Sequence, residues 1–484
     1  MLEHDINGSV TMKQIAFFAT VTTALFLAGP CFAQASALPE TSSQTGPQTD
    51  PAAEPATTAG ADATLADPSP PISRTPMTNG ILGDWGGIRT RLYDKGLDLQ
   101  LGYGTELAWN PRGGSRENVT VIGQAIGAVA ADMDVLAGIP GGTAKVAIFY
   151  RHGPSLNIDA KLGLLQQVQE AYGRGEIVRL VEAWYQQSFD ADRVRLKLGR
   201  MPTNADFASF ACDFQNLSFC ASPQGNFSSG INYWLSAPGS NWAAVGRVNL
   251  GKDRKLGYVQ IGGYLVDPKN VDPTTGFHLS FSGTTGVLLP FEAAWTPTFH
   301  GDKPGYYKIG GWVETSRSSD LVRDRNGELL IVSGDQGKPY RGRHGVYFEM
   351  AQQLTSSPEG LDKKGLSVFF NFTQLDRATA LIDNQISGGV TQTGTFAGRP
   401  HDQIAFAVVR THVNGRLRAT DRIAVDQDLL LGIRQSEYLA ELDYRLVPVN
   451  GVRISPNIQW GINPGGISEN RNVIAIGLKS SVQF

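Results

Sequence analysis

The 484 residues carry 45 acidic against 42 basic side chains, a net charge of −3 that leaves no basic surface for nucleic acid. Beyond the N-terminus no stretch reaches the roughly 18 consecutive apolar residues of a spanning helix, which excludes a helical membrane protein. Glycine is abundant at 56 residues, and the length suits either several soluble domains or one large closed β-structure.

Along the chain, Lys13 precedes the apolar run IAFFATVTTALFLAG. Small residues suited to cleavage after Ala33 or Ala35 follow, so residues 1–33 read as a secretory signal peptide, with Met12 as an alternative start. Acylation at Cys31 would want a small residue where Pro30 stands. Residues 34–80, rich in Ala, Pro, Thr and acid, lack the apolar content to offset the entropy of ordering and read as a disordered leader. Residues 81–484 form the remaining domain. In GGIRTRLYDKG, Ile88, Leu92 and Tyr93 share one helical side, Arg89 and Arg91 lie off it, and Gly96 is placed to end a short helix.

From Leu97 the hydrophobic period changes to two. In LDLQLGYGTELAWN one face is Leu97, Leu99, Leu101, Tyr103, Thr105, Leu107 and Trp109, and the other is Asp98, Gln100, Gly102, Gly104, Glu106, Ala108 and Asn110. Such runs recur sixteen times, the last being VIAIGLKSSVQF, where Ile474, Ile476 and Leu478 alternate with Ala475, Gly477 and Lys479. Short turns such as DADR and GKDRK alternate with long polar segments at 154–177, 203–239, 318–343 and 414–434. The fold class that results is all-β: a transmembrane antiparallel up-and-down β-barrel of about 16 strands, with a short N-terminal helix and a loop folded into the pore. A sheet survives in a bilayer only when it closes, because every backbone N–H and C=O must find a partner within the protein. The apolar rows then meet lipid and the polar rows meet a watery lumen. Trp109, Trp184, Trp295, Trp460, Tyr150 and Phe484, near strand ends, suit an aromatic girdle.

The strand phases put charge of both signs on the lumen face. Glu106, Glu182, Glu292, Glu314, Glu349, Glu441 and Asp443 supply carboxylates, and Lys145, Arg151, Arg195, Lys197, Arg247, Arg453 and Lys479 supply cations. A single-sign ring would select ions. The mixed set instead offers fixed donors and acceptors that exchange for the water around a neutral polyol. The segment 203–229 reads as the constriction, with Arg200 pointing into it from the end of its strand. Cys212 and Cys220, in CDFQNLSFC, read as a disulfide stiffening that loop rather than as metal ligands, because no histidine or further cysteine lies close by. No metal or cofactor is expected.

The motifs GDWGGIRTRLYDKGLDLQLGYGTELAWNPRGG, VEAWYQQSF with LKLGRMP, CDFQNLSFC, GRPHDQIAFAVVRT, and SEYLAELDYRLVPV with ISPNIQWGINPGG together resemble the carbohydrate-selective outer-membrane porins of the OprB type, from about Leu82 to Phe484. The resemblance implies passive diffusion of glucose and other small sugars across the bacterial outer membrane. It also implies that Glu182, Arg200 and the loop with Cys212 and Cys220 lie near the narrow part of the channel, and that Asp84 and Trp85 lie at the periplasmic entrance. Expected partners are small sugars, outer-membrane lipids and lipopolysaccharide, and the barrel-assembly machinery through a terminal aromatic such as Phe484. Barrels of this size are often trimers, but no strand face identifies an interface, so a homo-oligomer stays open.

Three other readings compete. An outer-membrane barrel hydrolase needs a nucleophile, base and orienting group in register, and the few histidines fall mostly in turns and loops, so the chain does not read as an enzyme. A general or differently selective pore remains the main alternative; lysine runs that would favour phosphate are missing. A purely adhesive barrel fits poorly with sixteen strands, which leave an aqueous channel.

Overall fold

The computed structural model describes residues 80–484 except 211–212, 221–232, 301–302 and 356–364. The segments read as signal peptide and leader, Gly80 apart, lie outside the described residues, as does Cys212. The strands are β1 (Leu97–Arg112), β2 (Val119–Asp132), β3 (Gly142–His152), β4 (Val178–Phe189), β5 (Val194–Met201), β6 (Asn241–Leu250), β7 (Gly257–Val266), β8 (Gly286–Trp295), β9 (Thr298–Phe299), β10 (Lys303–Asp324), β11 (Gly337–Gln353), β12 (Gly365–Leu375), β13 (Ile382–Thr393), β14 (Gln403–Val413), β15 (Ser436–Arg445), β16 (Val452–Ile462) and β17 (Val473–Gln483). β9 is a two-residue piece of a turn that pairs with the first residues of β10, while β8 pairs directly with β10. The other sixteen strands pair antiparallel with their chain neighbours, and β17 returns to pair with β1. The result is a closed sixteen-strand barrel with no free edge.

Alternation sorts the wall into two faces. On β14, Ala405, Ala407 and Val409 are buried inside while Phe406 and Val408 are exposed outside. Ile261, Phe291, Ile309, Val346, Leu442 and Ile458 are likewise exposed large apolar groups. An apolar wall this extensive is stable only against hydrocarbon. At two wall glycines, packing excludes a side chain. Gly345 lies opposite Trp312, and a Cβ there would stand 2.2 Å from the indole ring; Gly310 lies opposite Tyr347, where a Cβ would stand 2.3 Å from the phenol ring. Both rings lie flat across the neighbouring strand and, with Trp234, form an inward aromatic cluster.

Three expectations change in three dimensions. Residues 318–343 do not form one long loop: β10 continues to Asp324 and β11 begins at Gly337, so the hairpin stands beyond the wall. It is held there by Asp320 pairing with Arg416 at 2.8 Å and by Leu321 donating to the Ala378 carbonyl, and Val322 is buried. Trp184 belongs to the inward face, two residues from Glu182, with the Lys197 ammonium 4.5 Å above its ring, and is no part of an outer girdle; Trp295 and Trp460 are exposed outside. The helix Ile88–Tyr93 forms, but its packed side is Arg89, which is buried, while Ile88 is exposed. Arg89 lies over the Trp85 ring at 4.4 Å and donates to the Phe484 carbonyl, and Asp84 accepts from the Thr90 N–H and hydroxyl. A guanidinium that finds carbonyl acceptors at the end of β17 outweighs burial of one isoleucine.

At the turn before β14, Asp402 accepts from Arg399 at 2.7 Å, Tyr444 at 2.7 Å and the Val447 N–H at 2.9 Å. Burial alone would push its carboxyl up, but these donors hold it below the usual carboxylate range. A depressed folded value stabilises above the unfolded pKa, and that stabilisation fades as pH falls through the folded value. Asp402→Asn is therefore expected to unfold more readily than the wild type at pH 7, with the gap beginning to shrink near pH 4 and closing only well below it, as pH falls through the folded value. Parallel denaturant titrations across this pH range check this; a constant gap between the two proteins would show that Asp402 contributes through shape alone.

Candidate solute channel

The lumen is narrowed by two inward-folded loops, and buried wall carboxylates hold the backbone of both. In the β5–β6 loop, the Ala208 N–H donates to Glu292 Oε2 at 2.8 Å, and the Gln215 and Asn216 N–H groups donate to the two oxygens of Glu441 at 2.8 and 2.9 Å. Asn216 also donates to Gln459, Gln215 accepts from Asn457, and Lys308 donates to the Ser209 carbonyl. In the β3–β4 loop, the Ala171 N–H donates to Glu106 at 3.0 Å and the Leu165 N–H to Glu437 at 2.9 Å. Each carboxylate so used is buried and replaces lost hydration with backbone donors. The inward fold of the β5–β6 loop matches the expected constriction. The same behaviour of residues 154–177 was not legible as such, because that segment is as polar as any exposed loop.

The remaining expected residues are spread over the inner wall, its turns and both ends of the barrel. Glu182 pairs with Lys145 at 2.7 Å, and Lys197 pairs with Asp206 of the β5–β6 loop at 2.9 Å, both on one wall. A bulge in β4 between Leu180 and Glu182 sets the inward aim of that carboxylate. Arg195 is tied to Asp192 in a short turn, with Nε to Oδ1 at 2.6 Å. Arg200 lies at the opposite end of β5, fully buried, donating to the His278 carbonyl at 2.6 Å and to Asn270 Oδ1 at 3.0 Å, so it braces the loop between β7 and β8. Glu314 accepts from the Ser316 N–H at 2.6 Å and lies 3.6 Å from Arg343; Glu349 lies 3.8 Å from Lys308. Asp443 is only 1 % exposed, with neither oxygen hydrogen-bonded or open to the lumen, so against expectation it does not reach a solute, and Arg453 is half-buried on the inward phase of β16. Cys220 is disulfide-bonded. Asp84 and Trp85 sit beside the last residues of β17, at the end of the barrel that carries the short turns.

Between the two loops opens a cavity of about 330 Å³, lined among others by Gln124, Phe149, Arg151, Gln166, Glu170 and Arg174. Arg151 donates to Gln124, and Glu170 pairs with Lys479 at 3.2 Å. Burial alone would raise the Glu170 carboxyl, but Lys479 and Arg151 hold it below its ordinary value. Burial lowers Arg174 to about 10, helped by repulsion from Arg179 and Arg151. The amide of Gln166, only 2 % exposed, has neither its oxygen nor its nitrogen hydrogen-bonded. Buried amides of this kind are otherwise paired. The loop residues Gln166, Glu170 and Arg174 were not singled out from sequence; the run LLQQVQEAYGRG, dense in amides and charge, was the available signal.

The family model described as "Carbohydrate-selective porin, OprB family" matches residues 116–484. Porin B of Pseudomonas aeruginosa is 34% identical over 425 residues, which is 85% of this chain and 92% of that protein. The high-pH structure of Pseudomonas putida OprB aligns with a TM-score of 0.80 at 33% identity and covers 85% of this chain and 100% of that one. A low-pH structure of the same P. putida protein, at 24% identity and a TM-score of 0.54, shares the fold. This closed barrel with two loops folded into its lumen is an outer-membrane protein, and the chain belongs to the OprB family of carbohydrate-selective porins.

Proposed function

We propose that the chain passes small neutral sugars such as glucose by passive, saturable diffusion, with the cavity between the two loops as the solute station and no catalytic step. The observation that carries this is the cavity's chemistry. Its volume of about 330 Å³ suits a small ligand, and amides, guanidinium groups and a carboxylate converge on it with two aromatic rings, Phe149 and Tyr172. The half-buried Asn204 amide, which also lines it, offers both a donor and an acceptor to vicinal hydroxyls. Mixed charge, largely paired within the protein, favours exchange of polyol hydration over ion selection. Glu170 of the cavity pairs with Lys479 on β17, and Lys145 with Glu182 adds a second ion pair on the inner wall at β3 and β4. Recognition of the last strand, ending at Phe484, by the barrel-assembly machinery and association with further copies belong to this reading.

Liposomes holding the purified barrel are expected to take up glucose faster than gluconate, with uptake inhibited by similar sugars. Asn204→Ala is expected to weaken that inhibition about two- to tenfold, the worth of one or two hydrogen bonds, while the uptake rate at saturating sugar stays near wild type. Equal entry of glucose and gluconate would reduce the protein to a general diffusion pore.

A further inference from the structure

We propose that Glu292 and Glu441 are positioning residues that set the size limit of the channel, by clamping the backbone of the β5–β6 loop to two separated walls. The inference rests on the reading of the lumen as a sugar path and adds what decides which sugars fit. Glu292 stands on β8 and Glu441 on β15, six strand pairings apart in the sixteen-membered ring. The loop positions they hold, Ala208 and Gln215 with Asn216, are only about seven residues apart, a reach of at most about 25 Å when fully extended. Few loop conformations satisfy both anchors, so the clamps limit how far the loop can retreat toward either wall.

The chemistry requires a carboxylate. At Glu441 each oxygen accepts one backbone N–H, and at Glu292 the two oxygens accept from Ala208, Tyr258, Gln260 and Tyr347. A glutamine of the same size has one accepting oxygen, and its NH₂ group would face a donor. Glu441→Gln therefore sets N–H against N–H at one of the two amides without changing side-chain volume. Asp443 is the internal control. It lies two residues further along β15, also faces inward and is also buried, yet neither of its oxygens holds a loop amide. Asp443→Asn removes the same charge and releases no backbone.

The test compares Glu441→Gln, the double variant Glu292→Gln/Glu441→Gln, and Asp443→Asn with the wild type. Folding of each barrel is first verified by its heat-modifiable electrophoretic mobility. Liposome swelling is then measured with a hexose and a trisaccharide, and single-channel conductance in potassium chloride. The expected result is a rise of about tenfold in the trisaccharide-to-hexose rate ratio of the double variant, since an unmade buried bond at each clamp weights the open loop by that order. A smaller rise is expected in Glu441→Gln, larger conductance in both, and the wild-type ratio in Asp443→Asn. Should the double variant fail to fold, Glu441→Gln carries the test alone. A folded variant with wild-type size ratio and conductance overturns the proposal, as does an equal change in Asp443→Asn. If the wild type passes no hexose, the sugar reading fails, and conductance alone then decides whether the clamps set the aperture.

Discussion

Arginine in place of Ile261 is expected to destabilise the folded barrel by about 2–4 kcal/mol, the cost of a basic side chain on the lipid face near the bilayer midplane. Ile261 is 63% exposed in the middle of β7, opposite Phe291 of β8, which is 51% exposed. More than half of each residue's surface meets no protein, and both point the same way as Val259 and Leu289, which are also exposed. In hydrocarbon this is the favourable arrangement, and a guanidinium there loses its hydration without gaining a partner. Equilibrium unfolding in lipid vesicles measures the difference. A cost below about 1 kcal/mol would place Ile261 at an interface and would move the hydrophobic belt away from β7 and β8.

Replacing Glu292 by leucine is expected to have the larger structural consequence. The carboxylate accepts from Tyr258 at 2.7 Å, Gln260 at 2.9 Å, Tyr347 at 2.8 Å and the Ala208 N–H at 2.8 Å, all in the buried interior. Each stranded donor costs about 1–3 kcal/mol, and the sum is not additive because the phenol hydroxyls can rotate toward other acceptors. A total on the order of 3–5 kcal/mol is expected, as for removal of one partner from a buried charged network. The Ala208 amide cannot rotate away, so the loop itself is expected to shift. Limited proteolysis reads this directly: cleavage within the β5–β6 loop should become fast in Glu292→Leu while the barrel strands stay resistant. An unfolding cost below about 1 kcal/mol with unchanged proteolysis would mean that the four donors find water in the folded state.

Much of the architecture was legible because a membrane barrel leaves a period-two record at every strand. The boundaries expected for β4, at 178–189, and β12, at 365–375, are those observed. Ile476 is exposed on β17 while Ala475 is buried, as the alternation at the end of the chain required. Where the record fails, a local cause is visible. SRSSDLVRD has no apolar face, so the β10 extension read as loop; its ladder is held by β11 and by the loop carrying Ala378. The helical pattern sets Arg89 off the apolar side of its helix and says nothing of its burial, because its acceptors lie 395 residues away at Phe484 and on β1 at Leu99.

The candidate channel shows the same boundary more sharply. Strand phase alone put Glu106, Glu182, Glu292, Glu441 and Lys479 on the inner face, and each is there. Phase says nothing about what fills the lumen opposite them. Glu441 meets amides 226 and 225 residues earlier in the chain, and Glu106 meets one 65 residues later. Glu182, in contrast, pairs with Lys145 on the neighbouring strand. By itself the sequence determined a closed sheet with one apolar and one polar face, because alternation and the need to pair every backbone group in a bilayer allow little else. Only the tertiary structure decided which inward charges hold loops and which pair with a neighbouring strand. Those partners come from distant segments, and the choice depends on donors that no local periodicity encodes.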